Sequence, residues 1–175
     1  MHKIVMIFTT VLLSGCLGMP QSMTPVNDFE INEYLGKWYE VARLDHSFER
    51  GLSNVSAEYT LKDDGGVKVI NRGFSKEDKE WQEAEGKAYF VNATDEGYLK
   101  VSFFGPFYGS YVVFDLDKED YQYAFVSGPN NDYLWLLSRT PTVTPEVLES
   151  FVQQSKQLGF DTEQLIYVEH DQEFF

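Results

Sequence analysis

The feature that most constrains the fold is a succession of short segments in which apolar and polar residues alternate. Each is followed by a connection rich in Gly, Asn, Asp, Pro or Ser, the residues that turns favour. A period of two is typical of strands with one buried and one exposed face. Eight such segments predict an antiparallel barrel or sandwich, and they cover residues 37–44, 54–62, 67–74, 80–91, 98–103, 110–117, 121–127 and 133–138.

The pattern changes after Arg139. Thr140 and Pro141 end the last strand, and Thr144 precedes a segment whose apolar residues recur at helical spacing until Gly159. We therefore expect one amphipathic helix on the outside of the sheet and a short final strand at residues 165–168. The helix positions are Val147, Leu148, Phe151, Val152, Ser155 and Leu158.

The first fifteen residues predict a signal peptide. Lys3 supplies a positive charge, residues 4–13 form an apolar run too short to span a bilayer stably, and small residues precede Cys16. The sequence Leu-Ser-Gly-Cys at 13–16 resembles the bacterial lipobox, which implies that Cys16 carries lipid. A free cysteine at an ordinary cleavage site is the alternative.

The residue after the cysteine bears on location. Because Leu17 is not Asp, resemblance to lipoprotein sorting in enteric-type bacteria favours the outer membrane, with the domain on its periplasmic side. We expect three regions along the chain: a lipoprotein signal peptide at 1–15, a lipidated N-terminus and tether at 16–29, and a folded domain at 30–175. Cys16 is the only cysteine of the sequence, so an internal disulfide is excluded.

Composition narrows the functional classes. With 175 residues, of which 43% are hydrophobic, the chain has the length and apolar content of one domain with a real core. Its formal net charge of −14 makes nucleic acid an unsuitable partner.

Three features of the sequence fall at one end of such a barrel if consecutive strands run up and down. They are Gly36-x-Trp38 before the first strand, the turn at 120–123, and Arg139 after the eighth strand. Together they resemble the signatures of the lipocalins, although Glu119 stands where that family usually has Thr. The resemblance implies an all-β, eight-stranded antiparallel up-and-down barrel with a C-terminal helix packed outside. It also implies that Arg139 stacks on Trp38 and closes the base, a cation–π contact of about 0.5–2 kcal/mol.

The resemblance extends beyond the signatures. Residues 38–43, 48–55, 67–73 and 132–141 are similar to the bacterial outer-membrane lipoprotein lipocalins, a branch of the family close to apolipoprotein D. That branch binds fatty acids and lysophospholipids, so the resemblance implies a lipid carrier without a cofactor.

Strand parity indicates which side chains face inward, because charged residues mark the outer face. In the eighth strand the alternation is less clear, and we assign the parity of Arg139 to the interior, which leaves Leu134 and Leu136 for the helix. In the fourth strand Ala84, Gly86, Ala88 and Phe90 oppose Trp81 and Tyr89, and a bulge would reconcile the two sets. The ligand-binding residues expected from parity and resemblance are Tyr59, Val69, Asn71, Val101, Phe103 and Trp135.

The predicted function is to bind, and store or transport, a fatty acid or lysophospholipid in the barrel. We expect its polar head near Asn71 and near a cation of the upper rim: Arg50, Arg72, Lys76 or Lys79.

Two other functional classes are weighed against a carrier. One is an envelope interaction or structural protein with a filled barrel, and the other a lipocalin-type enzyme. The sequence shows neither metal-ligand spacing nor a nucleophile motif, and His46 is interpreted as a solvated loop residue. The sequence therefore predicts neither an enzyme nor a metal site. Exposed aromatic residues leave a homodimer open.

Overall fold

The computed structural model describes residues 17–172. The predicted signal peptide and Cys16 lie outside these residues, so their assignment stays a prediction. The described part is built mainly from eight long strands. They are β1 (Gly36–Arg43), β2 (Leu52–Leu61), β3 (Val67–Ser75), β4 (Glu80–Phe90), β5 (Tyr98–Ser102), β6 (Gly109–Leu116), β7 (Tyr123–Ser127) and β8 (Leu134–Ser138).

The eight strands close into an antiparallel barrel. Each pairs with the next along the chain, and β1 pairs with both β2 and β8. A short helix, α1 (Ile31–Tyr34), precedes β1, while a longer helix, α2 (Pro145–Gln157), and a two-residue strand, β9 (Ile166–Tyr167), follow β8. The predicted up-and-down barrel with one C-terminal helix outside and a short final strand is confirmed; α1 was not predicted.

The up-and-down order gives the barrel two different ends. We call the end where the chain enters β1 the base; the β2–β3, β4–β5 and β6–β7 connections lie there. The other end, which we call the mouth, carries the β1–β2, β3–β4, β5–β6 and β7–β8 loops.

Two apolar clusters lie on the two faces of the sheet. The inner cluster includes Trp38, Val69 and Leu137, with Trp135 packed against it. The outer cluster, under α2, includes Leu134 and Leu136 with Phe125 and Phe151. The alternate residues of β8 therefore face inward and outward as expected, since they divide between the two clusters.

The fourth strand needs no bulge, so that prediction is wrong. The pairing of β3 with β4 is regular from Val67 opposite Ala88 to Ser75 opposite Glu80. Ala88 belongs to the inner cluster, whereas Trp81 packs edge-on against Phe74 and the Tyr89 hydroxyl contacts polar groups outside. Large aromatic residues are simply accommodated on the outer face.

A register shift lies instead in β1, between Glu40 and Ala42 where β1 pairs with β8. Near the base, residues 36–39 of β1 pair with β2; above them the two strands separate. Residues 166–172 cover this separation from outside, because β9 pairs with β1 and the Asn54 backbone N–H donates to the Glu169 carbonyl at 2.7 Å. Asn54 has a φ of 55°, a left-handed conformation that Asn tolerates better than most residues.

The segment before β1, predicted to be a tether, lies against the barrel wall. Pro20, Met23 and Phe29 are buried, and Met23 belongs to the cluster under α2. The Val26 backbone is hydrogen-bonded to Gly97 and Val113, close to the base. In residues 17–172 no helix has both the length and the apolar character that crossing a bilayer requires.

Candidate functional site

The base of the barrel is sealed around Trp38, which is fully buried. The Arg139 guanidinium lies over its ring, 3.9 Å from the ring centre. The indole N–H donates to the Tyr34 carbonyl of α1 at 2.7 Å, so the short helix acts as a plug beneath the tryptophan. The arginine donates to three carbonyl oxygens, those of Tyr121, Lys37 and Glu33. Burial lowers the pKa of Arg139, but far too little to discharge it at neutral pH.

Above this seal lies a cluster of three tyrosine hydroxyls. The Tyr111 hydroxyl is 2.7 Å from that of Tyr34 and 2.9 Å from that of Tyr59. Burial raises the pKa of all three phenols, so they stay protonated and serve as neutral hydrogen-bonding groups. They form a polar but uncharged floor for the space above.

The six residues expected to bind ligand lie at different distances from the base, and they differ in exposure. Tyr59 and Val69, which pair with each other across β2 and β3, lie low in the barrel and are 8% and 3% exposed. The other four, Asn71, Val101, Phe103 and Trp135, are only half-buried. Four of the six inward side chains therefore remain partly accessible in the upper half of the barrel, where the inner wall is less tightly packed than at the base.

One glycine contributes to the shape of this inner wall. A Cβ on Gly86 of β4 would lie 2.8 Å from the Phe103 ring, closer than side chains pack. The missing side chain therefore lets the Phe103 ring approach the backbone of β4 closely. The signal was available in the sequence, since glycine is otherwise unfavourable in the middle of a strand.

The structure also places a group of four buried charged or titratable side chains inside, toward the mouth, which the sequence analysis missed. We call Glu40, Arg43, His46 and Glu49 the mouth cluster; they are 3%, 1%, 5% and 7% exposed. Arg43 donates to the Glu40 carboxylate at 2.7 Å and to the Glu49 carbonyl at 2.9 Å. The Trp135 indole donates to the Glu49 carboxylate at 3.1 Å, which joins this cluster to the expected ligand-binding set.

The two carboxyl groups of the mouth cluster are shifted in opposite directions. Burial, aided by the negative charge of Glu49, raises the pKa of Glu40 well above its ordinary value despite the nearby Arg43. Burial also acts to raise the pKa of Glu49, but His46, Trp135 and Arg43 outweigh it, and the net shift is downward. Glu49 is therefore the ionised carboxylate of the pair, and Glu40 the one that holds a proton more readily.

Three buried polar atoms of the mouth cluster have no hydrogen-bond partner. They are Arg43 Nε and both ring nitrogens of His46. His46 Nε2 lies 2.9 Å from the Glu49 carboxylate, close enough for an ion pair but not directed as a hydrogen bond. Unsatisfied buried polar atoms are unfavourable, which makes the mouth cluster a candidate neighbour for a polar group of a ligand.

The sequence contained a signal for part of this cluster. Glu40 has the same parity as Trp38 and so had to face inward, and the register shift that follows brings Arg43 to the inner face as well. The interpretation of His46 as a solvated residue is wrong: its ring packs 5.2 Å from that of Trp135 and 4.0 Å from that of Phe48. Burial of a loop residue depends on tertiary packing that alternation does not report.

Three of the four rim cations expected near the ligand head, all but Lys79, are engaged in ion pairs. Arg72 lies on the outer face, where it pairs with Glu58 and Glu83 at 2.8 Å each. Arg50 pairs with Asp45, and Lys76 pairs with Glu169. The arginine available inside the barrel is Arg43. Across residues 17–172, no three His, Cys, Asp or Glu side chains come together as metal ligands would.

A closed antiparallel barrel with one plugged end and an aromatic lumen defines the class of small ligand-enclosing barrels. The model of the lipocalin-like domain matches residues 29–170, and the chain belongs to that family.

The sequences of individual relatives align with most of this chain. The chain is 69% identical over 169 residues to the outer membrane lipoprotein Blc of Vibrio cholerae, which covers 97% of this chain and 99% of that protein. It is 53% identical to the protein of the same name from Escherichia coli, over 86% of this chain and 84% of the other. Bovine apolipoprotein D is 36% identical over 71% of this chain and 68% of its own.

Among solved structures, insecticyanin of the tobacco hornworm Manduca sexta superposes with a TM-score of 0.68 at 23% identity. The match covers 87% of this chain and 86% of that one, and at this identity it supports the fold alone.

Proposed function

We propose that this protein is an outer-membrane lipoprotein that binds a fatty acid or a lysophospholipid in its barrel and stores or transports it. The observation that carries the proposal is the gradient of exposure along the inner wall. The base is sealed at Trp38, whereas Phe103 and Trp135 higher up face inward and yet remain accessible. A lumen closed at one end and lined with aromatic and aliphatic groups suits one acyl chain.

The energetics of chain burial support this ligand class. Each buried methylene contributes about 0.8 kcal/mol, so a long acyl chain gains on the order of 10 kcal/mol before the cost of ordering it. Micromolar binding requires about 8 kcal/mol. A single chain is therefore enough to give useful affinity, without any strong contact to its head.

The polar head of the ligand fits at the level of the mouth cluster. Arg43 supplies a permanent positive charge, and its Nε and the two ring nitrogens of His46 lack hydrogen-bond partners. A phosphate or carboxylate would accept from Arg43, while the ionised Glu49 would balance an ammonium group of a zwitterionic head. Arg43 and His46, together with Asn71 of β3, are then the expected neighbours of the head group in place of the rim cations.

The location of the protein is supported by the names of its relatives and by its own sequence. Two relatives of 69% and 53% identity are called outer membrane lipoproteins. The Leu-Ser-Gly-Cys sequence at 13–16 fits a lipid anchor on Cys16. Two or more acyl chains hold a protein on a bilayer far more firmly than one.

Titration with lysophosphatidylethanolamine tests the ligand proposal, using a chain that begins at residue 17 and native mass spectrometry as the readout. We expect one bound lipid per barrel and saturation in the micromolar range. Trp135→Glu should abolish binding while the far-ultraviolet circular dichroism stays unchanged, because it places a charge on the wall of the lumen. Trp81→Glu is the matched control, since Trp81 lies on the outer face of β4 and its substitution should leave the affinity as it was.

The outcomes separate the site from the function. Lack of lipid uptake by the unmodified chain would contradict the carrier function and favour an interaction protein with a filled barrel. If Trp135→Glu takes up lipid as well as the unmodified chain does, the carrier function stands but the proposed binding site is wrong. Turnover of the lipid, rather than stoichiometric uptake, would indicate an enzyme.

A further inference from the structure

Large exposed apolar side chains are concentrated at the mouth of the barrel. Seven are exposed in residues 17–172, and four of them lie at this end: Leu17 at 43%, Phe48 at 58%, Phe104 at 80% and Phe107 at 67%. We call these four the apolar rim. Of the other three, Leu61 lies at the base and Ile166 and Tyr167 form β9 on the side.

The apolar rim spans the mouth from opposite sides. Phe48 belongs to the β1–β2 loop and stacks on Tyr133 of the β7–β8 loop, with 6.2 Å between ring centres and an angle of 15°. Phe104 and Phe107 belong to the β5–β6 loop, and β5 is opposite β1 in an eight-stranded barrel. Groups this exposed contribute little to the stability of the barrel, so their presence on both sides of the mouth needs another reason.

The course of the N-terminal segment connects the apolar rim to the lipid anchor. Gly18 lies against the Pro129 carbonyl of the β7–β8 loop, next to the mouth. From there the chain follows the outer wall toward the base, held by the buried Pro20 and Met23 and by the backbone of Val26. Cys16 is two positions before Gly18, and two residues reach at most about 7 Å. The anchor therefore leaves the protein at the mouth and not at the base.

We propose that the apolar rim docks on the surface of the lipid bilayer, so that the mouth of the barrel opens onto the membrane. The inference rests on the lipid anchor proposed above. An anchor so close to the rim keeps it at the bilayer at all times, which makes weak apolar contacts effectively intramolecular. Phe and Leu side chains are among the groups that interfacial segments bury at the boundary between the headgroups and the acyl chains.

The charges around the mouth are compatible with such contact. Arg50 is paired with Asp45 at 2.8 Å, and Lys76 is paired with Glu169. Pairing keeps the strongly acidic chain from presenting an uncompensated negative charge to anionic headgroups at these positions. A lipid then passes between the bilayer and the lumen without its acyl chain crossing water.

The test measures the depth of individual positions in the anchored, full-length protein. Cys16 is consumed by its lipid, so an introduced cysteine is the only free thiol and can carry an environment-sensitive nitrobenzoxadiazole label. Phe107→Cys reports on the apolar rim, and Leu61→Cys, also an exposed apolar position, reports on the base. Both proteins are incorporated into vesicles of phosphatidylethanolamine and phosphatidylglycerol, and flotation establishes that each is anchored.

We expect the label at position 107 to shift to the blue and to lose most of its emission to a spin-labelled lipid quencher, while the label at 61 does neither. A label at Phe48→Cys should behave like the one at 107. Combining that label with Phe104→Asp and Phe107→Asp should restore its emission in quencher vesicles, although the protein still floats with them.

Two results would overturn the proposal. In one, the labels at 48 and 107 stay fully in water in anchored protein. In the other, they are shielded without vesicles and in proportion to protein concentration, which would show that a second copy of this chain covers the rim. Lipid uptake by the chain that begins at residue 17 is measured separately, so a failure of docking is distinguishable from a failure of the carrier function.

Discussion

The two ends of the barrel each contain a partly or fully buried arginine, and the two are held in different ways. At the base, Arg139 stacks on Trp38 and donates to three backbone carbonyls, with no carboxylate among its hydrogen-bond partners. At the mouth, Arg43 is bound by the Glu40 carboxylate and by carbonyls of a loop that itself carries His46 and Glu49. The base is closed by groups that do not titrate, whereas the mouth is held by groups that do.

The contacts at the base therefore do not depend on pH, whereas those at the mouth do. Carbonyl oxygens and an indole ring accept from a guanidinium at any physiological pH, so the seal is constant. The carboxyl groups of Glu40 and Glu49 change charge with pH, and the contacts of Arg43 with Glu40 and with the Glu49 carbonyl position the β1–β2 loop. Substitutions at four places in the barrel test this contrast, in order of decreasing effect on the free energy of unfolding.

Replacing Arg43 with Met should be the most damaging change. It leaves Glu40 and Glu49 buried without their cation, and removing one partner of a buried ion pair typically costs about 3–5 kcal/mol. The free energy of unfolding from urea titration measures the loss. If the variant does not fold, Arg43→Lys, which keeps the charge but has one nitrogen where the guanidinium uses two, should show a smaller loss of the same sign.

The carboxyl groups of the mouth cluster should respond in opposite ways to neutralisation. Glu49→Gln should lower the free energy of unfolding at pH 7 by about 1–3 kcal/mol, because it removes an ionised acceptor of a buried network. Glu40→Gln is the matched control. It should raise the free energy of unfolding slightly at pH 7, because Glu40 is the group whose charged form is disfavoured.

The pH dependence of these two variants follows from the direction of each shift. The folded-state pKa of Glu49 is lowered, so its stabilisation is present above its unfolded pKa, near 4.5, and is lost as pH falls through the folded value. The deficit of Glu49→Gln should therefore shrink in acid. The pKa of Glu40 is raised, so the unmodified protein loses stability relative to Glu40→Gln as pH rises above 4.5. Equal deficits for both variants at every pH would refute this assignment of charge.

Replacing Arg139 with Met tests the opposite end. The loss of its contact with Trp38 should lower the free energy of unfolding by about 0.5–2 kcal/mol. The deficit should be the same at pH 5 and pH 8, because none of its hydrogen-bond partners titrates in that range. A deficit that changes with pH as strongly as that of Glu49→Gln would remove the contrast between the two ends.

The smallest effect is expected for the surface ion pair at the mouth. Lys76→Met removes the contact with Glu169, which joins the β3–β4 loop to the segment covering the gap between β1 and β2. Both side chains are largely exposed, at 55% and 64%, and such pairs are screened by water and salt. No change beyond experimental error is expected in the urea midpoint. A clear loss would mean that the titratable character of the mouth extends to its surface.

Much of this architecture could be predicted from the sequence, because the alternation of apolar and polar residues indicates which side chains share a face of the sheet. Trp135 and Leu137 on one side, and Leu134 and Leu136 on the other, follow from a period of two and lie where that period puts them. The contact of Arg139 with Trp38 was implied by the family resemblance and has the expected geometry. These features depend only on spacing along a strand or between two strand ends.

The mouth cluster could not be predicted in the same way. The rule that charged residues mark the outer face holds for Lys68 and Arg72, but it fails for Glu40 and Arg43, which contact one another at 2.7 Å inside the barrel. The inward position of Arg43 further depends on a register shift, and the burial of His46 depends on a loop folding back over Trp135. The hydropathy of single residues does not indicate which polar groups will be paired and buried in the folded chain.

The strand separation beside β1 has a consequence for how the barrel forms. Asn54, in β2, is hydrogen-bonded to Asp171 and to the backbone of Gln172, partners 117 and 118 positions further along the chain. Contacts between residues so distant in sequence form slowly, because a large loop must close before they contribute. Until then β1 and β2 both present free strand edges, which can pair with another chain. We therefore expect this seam to be the last part of the wall to fold, and the interval before it closes to be the one in which the chain is most prone to aggregate.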